Sequence, residues 1–368
     1  MEEKVQPQVS EIPSLTPAQK RKKILLLLLA LIGFNAFVFG GLYLVLSKGD
    51  SPQKISNVSS SINPTPTPYP FSEMTIPSLR SREYKSVLGE REQVSSNGNY
   101  TSFLTSYDSD GFKINGLLTV PAGETPAGGW PAIVFVHGYI PPSVYTTTGN
   151  YSSYVDYLAR NGFVVFKIDL RGHGQSEGEA GGAYYSSDYV IDVLNAYSAL
   201  EKYEKVNPKK IGLWGHSMAG NVVSRALGAK PDIPAIAIWG GAVYTYSDFS
   251  EFSIEDNSYQ PPSEESPSRK KRNEMFEKYG VFDENSEFWK MVPVTNYLDE
   301  ITGAISLNHA VDDSVVDIGY SRSFNEILDK TDIPHELNEY SSGGHNFTGS
   351  SFTQAMNKTI EFYNKYLN

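Results

Sequence analysis

The chain has 368 residues, 40% of them hydrophobic, and a net charge of −11, enough for one large domain with extensions. Residues 1–50 hold six basic and four acidic side chains, so they carry +2 of that total and the remainder carries −13. A body this acidic repels phosphate backbones and excludes nucleic acid as a partner. The absence of cysteine excludes disulfides, thiolate zinc sites and a cysteine nucleophile.

Residues 1–23 end in the cluster Lys20, Arg21, Lys22 and Lys23. Ile24 to Leu46 then run without a charged side chain, long enough as a helix to cross a bilayer core of about 30 Å. The basic cluster before this run predicts a single-pass membrane helix with a cytoplasmic N-terminus and an extracytoplasmic body. Ser47-Lys-Gly-Asp50 offers no small-residue cleavage site, so the anchor is expected to stay attached. Residues 47–80, with Asn63-Pro-Thr-Pro-Thr-Pro-Tyr-Pro70, read as an extended linker that holds the domain of residues 81–368 off the membrane.

Within that domain, short apolar runs alternate with amphipathic stretches. Strands are expected at Gly116–Val120, Ala132–Val136, Phe163–Ile168, Ile211–Trp214, Ala235–Trp239, Ala304–Leu307 and His335–Tyr340. Runs this continuously apolar are buried on both faces, hence a mostly parallel sheet. Helices are expected at Tyr154–Arg160, Asp188–Tyr203, Met218–Leu227, Gly319–Leu328 and Phe352–Leu367, which places helices on both faces of one α/β sheet. Residues 243–300 form one long aromatic and charged connection, too long for a structureless loop. It reads as a cap insertion, helical around Ser268–Tyr279.

The chemistry gathers after the strands. Gly215-His-Ser217-Met-Ala219 lies between a buried strand and a helix, where a tight turn pushes Ser217 out at the sheet's carboxyl edge. Its neighbours two residues away must then be small, and Gly215 and Ala219 are. A serine hydroxyl needs a base, and His345, in the glycine-rich Ser341-Ser-Gly-Gly-His-Asn-Phe347 after the last strand, is placed to be one. The base needs an orienting carboxylate. Asp313 fits best after the strand ending near His309, and its neighbour Asp312 competes. His309 itself reads as a turn former. The oxyanion of an acyl-transfer intermediate needs two N–H donors. Met218, which follows the serine, and Tyr139, in the loop after Ala132–Val136, are the candidates. Asp169 and Arg171 read as a structural ion pair or turn. No metal-ligand spacing such as H-E-x-x-H occurs, so no cofactor or metal is expected.

Together, His137-Gly138, Asp169-Leu-Arg-Gly-His-Gly-Gln-Ser176, Gly215-His-Ser-Met-Ala-Gly220, Asp313 and His345 resemble the α/β-hydrolase superfamily. Tyr107-Asp-Ser-Asp-Gly111, Gly138-Tyr-Ile-Pro-Pro142 and Trp214-Gly-His-Ser217 are similar to bacterial prolyl oligopeptidase-like hydrolases. The resemblance spans about residues 100–367. It implies an α/β-hydrolase fold, a Ser217–Asp313–His345 triad and cleavage of an acyl bond in a small peptide or ester substrate. Two departures stand out: Ala219 replaces the usual last glycine of the motif, and the chain leaves no room for the β-propeller that gates peptides in full-length prolyl oligopeptidases. A peptidase is the leading expectation. A carboxylesterase, lipase or acyltransferase on the same triad, or a non-catalytic binding module, are the alternatives.

Overall fold

The structure, a computed structural model, describes residues 70–367. The expected membrane span at 24–46 and most of the expected linker lie outside the described residues. Among the described residues no helix is long and apolar enough to cross a membrane.

The strands are β1 (Glu92–Ser96), β2 (Tyr100–Ser109), β3 (Phe112–Pro121), β4 (Trp130–Val136), β5 (Val164–Ile168), β6 (Val206–His216), β7 (Ala235–Trp239), β8 (Ala304–Ala310) and β9 (His335–Tyr340). They form one sheet in the order β1-β2-β3-β5-β4-β6-β7-β8-β9. The pairs from β5 through β9 are parallel, whereas β1, β2 and β3 join antiparallel at one side. The sequence pattern did not single out β1 and β2. All five residues of β1 are exposed, so it lacks the apolar periodicity that marks a strand.

Alternate residues of the central strands enter opposite cores. In β4, Val134 and Val136 pack into one cluster and Ile133 and Phe135 into the other, as the two-residue repeat of a strand dictates. Among the described residues the α-helices are α1 (Ile76–Ser81), α2 (Ser152–Arg160), α3 (Asp188–Glu201), α4 (Ala219–Ala229), α5 (Pro267–Tyr279), α6 (Gly319–Leu328) and α7 (Gly349–Leu367). Helices α3, α4 and α6 cover the first face and α2 and α7 the second. Residues 72–80, expected as linker, are folded together with Ser81. Thr75 caps α1 through Ser78 N–H, Ile76 and Leu79 are fully buried, and Arg80 Nε donates to Gly228 O at 2.8 Å. The apolar positions of α1 are too few to announce a helix by period, and only contact with α4 reveals their role.

The connection between β7 and β8 contains α5 and four short 3-10 turns. Ser266 caps α5 by accepting from Arg269 N–H, with Pro267 in its first turn, as the proline preference for that position predicts.

Candidate active site

In this topology β4 has β5 on one side and β6 on the other, so the chain reverses direction across the sheet there. The carboxyl ends of β4 and β6 flank the crevice where open α/β sheets bind ligands. The loop carrying Tyr139 follows β4, and Ser217 follows β6.

Ser217 sits at φ 57°, in the left-handed region that a side chain other than glycine occupies only under constraint from its surroundings. The constraint is visible: Ser217 N–H donates to Trp239 O at 2.9 Å, and Ser217 O accepts from Gly220 N–H at 2.9 Å. A Cβ at position 215 would lie 2.8 Å from Ala219 O, so only glycine fits before the turn. Ala219 is itself accommodated fully buried, and the turn tolerates its methyl. Helix α4 begins at Ala219, directing its positive end toward the serine.

His345 lies 12% exposed, with Nδ1 at 2.8 Å from Asp313 Oδ2. The other Asp313 oxygen accepts from Val315 and Val316 N–H at 2.9 and 3.0 Å. His309 Nε2 approaches Asp313 at 3.2 Å. Burial alone would raise the Asp313 carboxyl, but hydrogen bonds from His309, His345 and backbone outweigh it and hold the group well below the usual carboxylate range. Asp313 is therefore an ionised acceptor aimed at the imidazole. Asp312 points elsewhere: it accepts from Gly344 N–H at 2.8 Å and Gly343 N–H at 3.3 Å, fastening the loop that carries His345. His309 is not a turn residue. It is buried in β8, with Nδ1 against Ser321 Oγ and Nε2 against Val316 O, and so supports the Asp313 loop.

The loop after β4 has a determined polarity. Leu170 N–H donates to His137 Nε2 at 3.3 Å, so Nδ1 carries the ring proton and donates to Gly138 O at 2.7 Å. The peptide is trans, so fixing that carbonyl turns the N–H of Tyr139 the opposite way. Neither Tyr139 nor Met218 uses its backbone N–H among the described residues, and both line the same cavity as Ser217. Asp169 accepts from Tyr145 Oη at 2.6 Å and from Thr147 Oγ1, holding this loop down. Arg171 instead pairs with Asp192 at 2.6 Å. The expected Asp169–Arg171 pair is thus two separate devices.

One relay was not visible in the sequence. His216 Nε2 donates to His345 O at 2.8 Å, which leaves Nδ1 to accept from Tyr151 Oη at 2.7 Å. Tyr151 Oη in turn accepts from Gly138 N–H at 3.0 Å. A Cβ at 138 would stand 2.9 Å from Tyr151 Oη, which explains the glycine. The relay joins the loop of Tyr139 to the loop of His345. The Ser217 hydroxyl makes no hydrogen bond among the described residues, as is common where such contacts tighten only on the substrate. Its neighbour His216 brings the two sides together, with ring centroids of His216 and His345 4.5 Å apart.

Burial lowers the pKa of His216 to about 3, with the nearby His345 adding to the shift, and lowers those of His137 and His173. His216 therefore stays neutral when folded and the other two are biased the same way, whereas in the unfolded chain all three protonate below about 6.5. Unfolding then takes up protons, so stability is full above pH 6.5 and falls as pH drops below it. Urea denaturation at pH 7.5, 6.5 and 5.5 should show His216 contributing a loss of about 1 kcal/mol in the lower interval, with His137 and His173 adding to it in the same direction. His216→Gln should remove one proton from that slope; equal slopes in variant and wild type would contradict the assignment.

A cavity of about 430 Å³ opens at Ser217. Tyr184 and Tyr185 enter it from the loop before α3, and Phe249 and Arg272 from the β7–β8 connection. Tyr139 Oη accepts from Gln260 N–H at 2.8 Å, tying the loop after β4 to that connection. The aromatic connection expected at residues 243–300 supplies Phe249 to this wall, whereas Tyr184 and Tyr185, which follow the small residues Gly181-Gly-Ala183, were not singled out by the sequence. Among the described residues no group of three or more His, Asp or Glu is placed to hold a metal ion.

Residues 131–254 match the family model described as serine aminopeptidase, S33. That range contains the Tyr139 loop and the Ser217 turn; Asp313 and His345 lie beyond it. Among curated proteins, thiohydrolase aneE of Aspergillus aculeatus is 32% identical over 120 residues, 33% of this chain and 34% of that protein. The uncharacterized protein YfhR of Salmonella typhi is 27% identical over 128 residues, 34% of this chain and 40% of that protein. The chain thus spans two-fifths or less of the length of these relatives. Among solved structures, acetyl xylan esterase 1 from Thermoanaerobacterium sp. JW/SL YS485 superposes with a TM-score of 0.53 at 19% identity, covering 81% of this chain and 95% of the esterase. A puromycin-hydrolyzing peptidase of Mycobacterium tuberculosis gives 0.57 at 19% identity, covering 74% and 40%. The superposed structures show the fold of the α/β-hydrolases, and the serine aminopeptidase match falls on the stretch that carries the Ser217 turn.

Proposed function

We propose that this α/β-hydrolase cleaves acyl bonds with Ser217 as nucleophile, His345 as general base, Asp313 as its orienting carboxylate, and the N–H groups of Tyr139 and Met218 as the oxyanion donors. The observation that carries the reading is a constrained, positive-φ serine on the wall of a cavity, with the largely buried His345–Asp313 pair brought near it through the ring of its neighbour His216. Ser217 Oγ attacks the scissile carbonyl carbon while His345 Nε2 takes its proton. The oxyanion rests on the two N–H groups. Collapse expels the amine or alcohol, protonated by His345, and leaves Ser217 acylated. Water, deprotonated by His345, then attacks the acyl carbon and releases the acid.

Short peptides are the substrate class proposed here, in keeping with the prolyl oligopeptidase-like motifs. The aromatic lining of the cavity favours a second reading, small esters. The uncharged run at 24–46 behind four basic residues supports a membrane-anchored enzyme with its catalytic domain outside the cytoplasm. The full chain treated with a fluorophosphonate probe should be labelled at Ser217, and labelling should vanish in Ser217→Ala. Folded wild type that resists the probe would overturn the proposal. A panel of short peptides beside short acyl esters then separates the two substrate readings.

A further inference from the structure

Helix α5 carries four consecutive cations, Arg269, Lys270, Lys271 and Arg272. Three are engaged: Arg269 with Glu264, Lys270 with Glu265 at 2.8 Å, and Lys271 with Glu73 at 2.8 Å. Arg272 has no ion pair or hydrogen bond among the described residues, and its Nε is buried without a partner. It is half-buried and lines the cavity that opens at Ser217.

The other charged groups lining that cavity are accounted for. Asp188 faces Arg171 at 3.5 Å. Asp256 accepts from Ser258 N–H and Oγ at 2.8 and 2.6 Å. His173 uses both ring nitrogens on backbone carbonyls. Arg269 and Lys271 are held by their glutamates. Arg269 leaves only its Nε without a partner, whereas Arg272 is the charged side chain of this wall with neither an ion pair nor a hydrogen bond among the described residues. Its charge is felt at the wall beside it: burial pushes the Tyr185 phenol up to about 12, while Arg272 pulls in the opposite direction. Buried donors are normally satisfied, and a guanidinium presents a planar fork matched to a carboxylate.

We propose that Arg272 is the anchor of a carboxylate subsite, so that the substrates of this cavity carry an anionic group a few atoms from the scissile carbonyl, their apolar part lying on Tyr184, Tyr185 and Phe249. This rests on the serine hydrolase reading for turnover but not for binding. Two sources supply that chemistry: the terminal carboxylate of a short peptide, or the free acid of a dicarboxylic half-ester.

The test begins with binding, which needs no catalysis. Calorimetry on the full chain should show 4-phenylbutyrate bound roughly tenfold more tightly than 4-phenylbutanamide, as expected for one charge-assisted contact. Arg272→Gln should erase that preference and Arg272→Lys should keep part of it. Lys270→Gln, on the same helix but paired outside the cavity, should leave it intact. Equal binding of the two probes by wild type, or an undiminished preference in Arg272→Gln, overturns the subsite. Turnover then identifies the source. Loss of the preference for free over amidated acetyl-Ala-Phe in Arg272→Gln assigns the peptide carboxylate. Loss of the preference for 4-nitrophenyl hemiglutarate over 4-nitrophenyl pentanoate assigns the half-ester; loss of neither counts against the subsite. Failure of fluorophosphonate labelling would remove the hydrolase reading and leave the binding result standing.

Discussion

His345→Ala should lower kcat by roughly 10⁵-fold or more, Ser217→Ala by a similar factor, and the double variant by no more than either alone. The non-additivity is the informative part, because nucleophile and base act in one step and removing either leaves only the oxyanion donors and binding. Asp313→Asn should cost about 10⁴-fold. An asparagine amide placed where Asp313 Oδ2 now accepts from His345 Nδ1 would offer a donor instead. The ring would then take the opposite tautomer, with a proton on Nε2 where the serine proton must go. Asp312→Asn supplies the contrast. Among the described residues Asp312 hydrogen-bonds the N–H groups of Gly343 and Gly344, each through a different oxygen; an amide oxygen keeps the 2.8 Å bond from Gly344 and gives up the longer one from Gly343, so the loss should stay below about tenfold. Steady-state kinetics on the four single variants and the double variant, with thermal unfolding to establish that each is folded, checks the assignment. A larger loss in Asp312→Asn than in Asp313→Asn would transfer the role of orienting acid to the neighbour.

The largest loss of stability is expected at Asp192. Its carboxylate is fully buried and accepts from Arg171 Nε and Nη2, from Arg171 N–H, and from Ser109 Oγ at 2.7 Å. Asp192→Ala leaves the guanidinium of Arg171, itself 5% exposed, with only the more distant Asp188 at 3.5 Å, and should destabilise the domain by about 3–5 kcal/mol. For a domain of this size that is a fall in Tm on the order of 10 °C. Replacing both partners, Arg171→Met with Asp192→Leu, should restore most of the loss, since the cost lies in the unpaired charge rather than in the absence of the pair. Differential scanning calorimetry of the single and double variants distinguishes the two. A double variant as unstable as Asp192→Ala would mean that the hydrogen bonds to Ser109 and backbone, not the charge, hold this corner.

The two sites illustrate different relations between sequence and structure. The parallel strands and the five helices between them are legible from the chain alone, because burial on both faces of a strand or one face of a helix imposes a local apolar period. The turn at Ser217 is equally local: small residues at 215 and 219 are a steric demand on neighbours in the chain. Asp313 could be preferred over Asp312 by spacing, but adjacent residues differ only in which way the backbone turns them. The hydrogen bonds of Val315 and Val316 to one carboxylate and of Gly343 and Gly344 to the other separate the two. Arg171 finds Asp192 rather than Asp169, and the exposed strand β1 pairs at the sheet's edge without an apolar pattern to announce it.

The sequence by itself determined the α/β architecture, the exposed serine turn and the residue types gathered after the strands, since each follows from short-range sterics and the burial of apolar surface. Only the tertiary structure decided the relay from Gly138 through Tyr151 and His216 to His345, the folding of residues 72–81 against α4, and the unpaired Arg272 in the cavity wall. Those depend on groups distant in the chain meeting at hydrogen-bond range, where direction and partner are set by the packing of whole elements and leave no periodic trace along the chain.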